Sequence, residues 1–316
     1  MQLLYVLSGI LIFVILPVFG FLLYGLFKTY HRGKEIPLET LDLKETHYAP
    51  YETELLEAIS EIKKIPFEPV RIKSRDGITL AARYYDFGYE KTVIALHGYR
   101  AIPYNNVHAA FLAFRDLGFN VLLVSQRGHF ESGGRFITFG ERESGDLLLW
   151  VDYLLKRNGS SGIGLFGVSM GAATVCYASK KLASVPEIGF MVLECGYKNG
   201  YESVSNSLRD AFGGRQRLLS EVVYLAGKLF LRIDIKHSNA DEALPSVTIP
   251  AFFIHGDSDR FVPVSDSIER FEIIGSDIKD IVIVKGASHA EAFIAGSKEI
   301  RPRLSEFINK IYLQEK

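Results

Sequence analysis

Six short apolar runs, at residues 92–96, 119–124, 163–167, 189–194, 250–255 and 281–284, alternate with helix-periodic stretches near 106–117, 142–157, 170–182, 265–274 and 298–312. This alternation constrains the fold more than any other feature. Runs such as TVIALHG (92–98) and NVLLVS (120–125) are apolar on both faces, so both faces must be covered. Strands of that kind belong to a parallel sheet flanked by helices, and the sequence predicts an α/β domain. The earlier stretch VRIKSRDGITLAARYY (70–85) reads as two strands joined by a turn at Arg75, Asp76 and Gly77.

The N-terminal region breaks the pattern. Between Leu3 and Phe27 the only ionisable groups are the Tyr5 and Tyr24 phenols. A helix needs about 20 apolar residues to cross a hydrocarbon core, and this run is long enough. No basic residue precedes it and no A-x-A-like site follows, so it does not read as a cleaved signal peptide. Lys28, Arg32 and Lys34 follow at once. By the positive-inside rule they predict a single-pass protein of the cell membrane, its partner the lipid bilayer, with the C-terminal domain in the cytoplasm. The expected organisation is a transmembrane anchor at 1–27, a connector at 28–66 and a main domain at 67–316. Within the connector, Leu55, Leu56, Ile59 and Ile62 fall at helical spacing.

Between the runs ending at Glu194 and starting at Pro250 lie about 55 residues, far more than a loop requires. They are expected to form a cap at about 197–247. Its stretch LLSEVVYLAGKLFLRI (218–233) reads as a helix apolar nearly all round, which favours burial in the cap. A second reading has Val223 or Leu225 lining an acyl pocket.

The formal net charge of −1 argues against a nucleic-acid partner. Cys176 and Cys195 have no metal-ligand spacing and read as small buried hydrophobes, so no metal is expected. Gly162, Gly164 and Gly167 spell G-x-G-x-x-G, but they interleave with strand residues Ile163, Leu165 and Phe166 instead of opening a helix, so no dinucleotide cofactor is expected.

The same stretch, GLFGVSMGAA (164–173), also spells G-x-S-x-G around Ser169, between a strand and a helix. A sharp bend there lifts a hydroxyl above the sheet as a nucleophile. A serine nucleophile needs a base, and the base an orienting acid, in the chain order serine, acid, histidine. His255 and His289 follow Ser169 at strand ends, and IVIVKGASHAEAF (281–293) puts His289 in a loop after a strand. FFIHGDSDRFVP (252–263) supplies Asp257 and Asp259. The backbone amides of Tyr99, after His97 and Gly98, and of Met170 are the candidate oxyanion donors. His97 itself reads as structural.

With these residues in place the chain resembles an α/β-hydrolase, specifically the membrane-anchored bacterial serine hydrolases known as esterases or lipases. The matching blocks are HGYRA, LGFNVLLVSQRGHFESGG, ITFGERESGDLLLWVDYL, LFGVSMGAATV, ECGY, IPAFFIHGDSDRFVP and VKGASHAEAF, spread over about residues 70–312. The resemblance implies an eight-stranded, mostly parallel sheet with a helical cap inserted after the sixth strand. It aligns Ser169 as nucleophile, Asp259 as acid, His289 as base, and the Tyr99 and Met170 amides as oxyanion hole. Two departures stand out. The family's Asp-x-Arg-Gly-His-Gly reads here Ser125-Gln126-Arg127-Gly128-His129-Phe130, and Glu194 ends the sixth strand, where some hydrolases place their acid. The expected activity is hydrolysis of a small-molecule carboxylic ester through an acyl-enzyme, without cofactor. The alternatives are a serine peptidase, a thioesterase, or a catalytically silent membrane-tethered binding module.

Overall fold

The computed structural model describes residues 2–158, 162–236 and 241–313. Among them, eight strands form one sheet: β1 (Glu68–Lys73), β2 (Thr79–Tyr85), β3 (Lys91–Leu96), β4 (Phe119–Ser125), β5 (Ile163–Val168), β6 (Ile188–Glu194), β7 (Ala251–Gly256) and β8 (Lys279–Val284). Their spatial order is β1-β2-β4-β3-β5-β6-β7-β8. β2 runs antiparallel to β1 and β4, and every other pair is parallel. The order reverses around β3, which leaves a crevice above the carboxyl ends of β3 and β5, where ligands bind in open α/β sheets.

The helices among the described residues are α1 (Gln2–Tyr30), α2 (Glu52–Lys64), α3 (Pro103–Asp116), α4 (Glu143–Asn158), α5 (Met170–Leu182), α6 (Gly200–Phe212), α7 (Gln216–Ala226), α8 (Ser265–Ile273), α9 (Ala292–Ala295) and α10 (Ser297–Leu313). The strand period of two sends neighbouring residues into opposite layers. In β5, Phe166 packs with Phe111 and Phe114 of α3 and with Leu55 and Ile59 of α2 in one layer. Leu165 joins Trp150 of α4 and Val175 of α5 in the other. β4, β5 and β7 are buried at every position, as their unbroken apolar runs require.

The segment between β6 and β7 carries α6 and α7 over the sheet's carboxyl edge, and residues 237–240 of this cap lie outside the described residues. A third apolar cluster joins the cap to the end of α1: Leu26 and Tyr30 pack with Phe139, Val204, Val223 and Tyr224. The single helix expected at 218–233 is instead α7 followed by a π-helical turn at Gly227–Leu231. The Tyr30 ring packs so tightly there that a β-carbon on Gly227 would lie 2.5 Å from its hydroxyl oxygen. Val223 is buried, its methyl group 3.3 Å from the β-carbon position of Gly25, while Leu225 is exposed. Neither lines the cavity at Ser169, so the acyl-pocket reading of these two residues is corrected.

The expected anchor at 1–27 lies on α1. The side chains of residues 2–12, 14, 15 and 18 fall outside the described residues. Among the described residues no helix is long and apolar enough to cross a membrane.

Candidate active site

Ser169 is the single residue between β5 and α5. Its φ of +54° and ψ of −113° place a non-glycine residue in a sparsely populated region, held by the surrounding bonds. Its N–H donates to the Glu194 carbonyl at 2.8 Å, and its carbonyl accepts from the Ala173 N–H at 3.0 Å. The flanking glycines follow from the closeness of this turn. A β-carbon on Gly167 would lie 2.4 Å from the Gly171 backbone, and one on Gly171 would lie 2.3 Å from the Leu96 carbonyl oxygen. The tight turn and the raised hydroxyl are one geometry.

The loop after β8 brings His289 to this hydroxyl. His289 Nε2 lies 2.8 Å from Ser169 Oγ, and Nδ1 lies 2.7 Å from Asp259 Oδ2. Asp259 is an acceptor of four bonds. Its Oδ1 accepts from the Phe261 and Val262 N–H groups at 2.8 Å each, and its Oδ2 also faces His255 Nε2 at 3.2 Å. His255 Nε2 faces two acceptors, Asp259 Oδ2 and the Val262 carbonyl, which assigns its proton to Nε2 and leaves Nδ1 to accept from the Ser267 hydroxyl at 2.7 Å. Burial alone would raise the Asp259 carboxyl, but the bonds from His255 and His289 hold it well below the usual carboxylate range. An ionised Asp259 keeps the His289 proton on Nδ1, so Nε2 is free to accept from Ser169. His255 as a partner of Asp259 was missed in the sequence. The signal was its spacing of four from Asp259.

Glu194 has a different partner. Its Oε1 accepts from the Phe293 N–H at 2.9 Å, and it stands beneath the His289 loop. Burial pushes its carboxyl up to about 7, against the opposing bonds from the Phe293 and Ala292 amides. The folded chain therefore keeps a proton that the unfolded chain loses near pH 4.5. The stability this provides is fully present below pH 4.5 and is lost as pH rises to about 7, by up to about 3 kcal/mol. Glu194→Gln lacks that titration. Its stability relative to the parent should therefore rise between pH 5 and 8 in denaturant melts, and a pH-independent difference would contradict the assignment.

The expected oxyanion donors flank Ser169. A β-carbon on Gly98 would lie 3.5 Å from Ser169 Cβ, so the turn after β3 lies against Ser169. Met170 opens α5, where N–H groups have no intrahelical acceptor. The Tyr99 hydroxyl donates to the Thr29 carbonyl at 2.7 Å, and its ring stacks on Phe139 at 5.2 Å. His97 is structural: Nδ1 bonds the Gly98 carbonyl at 2.7 Å and Nε2 accepts from the Gln126 N–H at 3.0 Å. Burial pushes its ring down to about 3, so it stays neutral. The divergent 125–130 loop is held by other means. Arg127 pairs with Asp146 at 2.6 Å and Asp76 at 2.9 Å, while His129 Nε2 accepts from the Arg100 N–H at 2.9 Å.

A cavity of about 290 Å³ opens over Ser169 and His289. The connector supplies part of its wall through Ile36, Leu38, His47 and Tyr48, which no motif marked. Asn105 Nδ2 bonds the Ile36 carbonyl at 3.2 Å and fixes that wall to α3. Cys195, Asp259 and His289 place three donor atoms within 4.8 Å of one another. Burial raises the Cys195 thiol well above its ordinary value, and Asp259 is already bonded to His289, so this set suits hydrogen bonding better than a metal.

No protein-family model matches the chain. Solved structures do. The Pyrococcus furiosus esterase Pf2001 is 25% identical, with a TM-score of 0.64 over 79% of this chain and 95% of that one. Est1E of Butyrivibrio proteoclasticus, solved with ferulic acid, is 19% identical, with a TM-score of 0.57 over 78% of this chain and 98% of its own. A thermophilic esterase of Thermogutta terrifontis, solved with malate, is 16% identical, with a TM-score of 0.56 over 77% and 99%. Sheet order, cap and these likenesses define an esterase-like protein of the α/β-hydrolase fold. The chain belongs to the family of the uncharacterized Bacillus subtilis protein YqkD, to which it is 30% identical over 227 residues, 70% of this chain and 72% of that protein.

Proposed function

We propose that this protein is a serine hydrolase that cleaves carboxylic esters through an acyl-enzyme. The observation that carries the reading is His289, bonded to Ser169 at 2.8 Å and to Asp259 at 2.7 Å. Ser169 Oγ attacks the ester carbonyl as His289 Nε2 takes its proton. The Tyr99 and Met170 amides receive the oxyanion, and His289 then protonates the leaving alcohol. Water activated by the same imidazole releases the acid. Ferulic acid in Est1E and malate in the Thermogutta esterase are small carboxylic acids, the kind of product such a reaction releases. A panel of short esters, thioesters and aminoacyl amides tests the class. Esters should be turned over fastest, whereas faster cleavage of the amides would make the protein a peptidase.

We also propose that residues 1–27 hold the protein on the cell membrane with the catalytic domain in the cytoplasm. Support comes from the apolar run and the basic residues after it, and from exposed Phe13, Leu16, Phe21, Tyr24 and Phe27 on α1. Protease added to intact cells should spare the domain and, after lysis, digest it. Digestion in intact cells would place the domain outside.

A further inference from the structure

A second cavity of about 250 Å³ adjoins the first, between the end of α1 and α6. Tyr99, Arg100 and Phe261 line both, so they form the partition between them beside Ser169. Phe139, Val204 and Leu208 add apolar wall, Thr29, Ser203 and Ser207 add hydroxyls, and Lys28 stands on the α1 side. Neither lining contains an aspartate or a glutamate.

No carboxylate of either lining faces these cations, and the Lys28 ammonium lies 5.7 Å from the Tyr24 ring centroid. Arg100 Nη2 donates to the Lys28 carbonyl at 2.5 Å and the His31 carbonyl at 2.9 Å, while its Nε is shielded from solvent without an acceptor. Its guanidinium carbon lies 4.9 Å from the Tyr99 ring centroid. Among the described residues neither Arg100 nor Lys28 forms an ion pair with a carboxylate. The buried arginines elsewhere are neutralised, Arg127 by Asp146 and Arg270 by Asp241 at 2.9 Å. Arg32 lines neither cavity; it donates to the Phe130 and Ser132 carbonyls, and the Glu35 carboxylate accepts from the Phe130 N–H of the same loop. A cavity with partly apolar walls and cations of one sign concentrates anions, and water exclusion strengthens the attraction.

We infer that the substrate is an ester that carries an anionic group, a carboxylate or a phosphate, on a short apolar chain, and that this group docks on Arg100 and Lys28 in the second cavity. The inference rests on the ester-hydrolase reading and names its substrate class. The guanidinium has donors left for a planar or tetrahedral oxyanion, and Lys28 supplies a mobile point charge.

The test uses the full chain and three p-nitrophenyl esters of matched length: neutral hexanoate, the adipate monoester, and a hexanoate ending in a phosphonate. One or both charged esters should show a KM about tenfold or more below that of the hexanoate, and 0.5 M salt should narrow the gap. Which of the two is favoured separates a carboxylate from a phosphate ligand. Lys28→Gln and Arg100→Gln should each raise the KM of the charged ester more than that of the neutral one. Arg100 also ties down α1, so Lys28→Gln, which breaks no backbone bond, keeps the test sound. Equal KM values for all three esters, or a preference that survives both substitutions, would overturn the inference. Failure of the ester reading itself would show as no Ser169-dependent turnover of the hexanoate. Calorimetric binding of monomethyl adipate and of the phosphonate to the Ser169→Ala protein decides the inference in that event. Binding weakened by Lys28→Gln supports it, and no binding overturns it.

Discussion

Ser169→Ala should leave a folded protein whose hydrolysis of a short p-nitrophenyl ester falls by about 10³-fold or more. On the proposed mechanism the Oγ atom is the nucleophile, and among the described residues no other hydroxyl is bonded to His289 Nε2. Loss of one member of a triad removes nearly all that the triad contributes, and the residual rate comes from the oxyanion donors and binding alone. The fold should persist because the substitution deletes one oxygen at a position whose backbone is held by the Glu194 carbonyl and the Ala173 amide. Alanine keeps the strain at φ +54°, whereas Ser169→Gly should release it and raise stability by about 1 kcal/mol while remaining equally inactive. Turnover near the parent level in purified Ser169→Ala protein would remove Ser169 from the chemistry.

Asp259→Asn should be nearly as damaging, with a loss of about 10³–10⁴-fold, while Glu194→Gln should cost less than about tenfold. Glu194 ends β6 and Asp259 lies in the loop after the adjacent β7, yet their partners differ. Asp259 Oδ2 meets His289 Nδ1 at 2.7 Å, and the Glu194 carboxyl meets the Phe293 amide at 2.9 Å. Asparagine removes the charge that stabilises the imidazolium and can present N–H₂ to His289, which favours the wrong tautomer. Glutamine at 194 keeps an acceptor for Phe293 and preserves the loop. Rates measured side by side near pH 8 decide the matter, and the reverse order of losses would make Glu194 the acid.

How much of this was legible depends on how local each cause is. β5, the bend at Ser169 and α5 follow from a handful of consecutive residues, and the both-face apolar runs predicted the central strands closely. Chain order alone left Asp257 beside Asp259 and His255 beside His289. The family resemblance picked one of each, and the fold brings those two within hydrogen-bond distance of one another and His289 within that distance of Ser169. The connector wall was not legible. Ile36, Leu38 and His47 sit in an irregular segment placed by distant bonds, such as Arg32 to the Phe130 and Ser132 carbonyls and Asn105 to the Ile36 carbonyl. No periodicity records such pairings. The break in the cap helix at Gly227 likewise depends on a ring from α1, nearly two hundred positions away in sequence.

The central claim is that Ser169 is the activated nucleophile of an ester hydrolase. A fluorophosphonate probe reports this directly, because it reacts only with a serine whose hydroxyl has been made nucleophilic. Intact-mass and peptide mapping of the full chain after labelling should show one adduct, on Ser169, formed in step with the loss of ester hydrolysis and absent from Asp259→Asn over the same interval. An unlabelled protein that still hydrolyses esters, or an adduct at another residue with activity lost, would contradict the account.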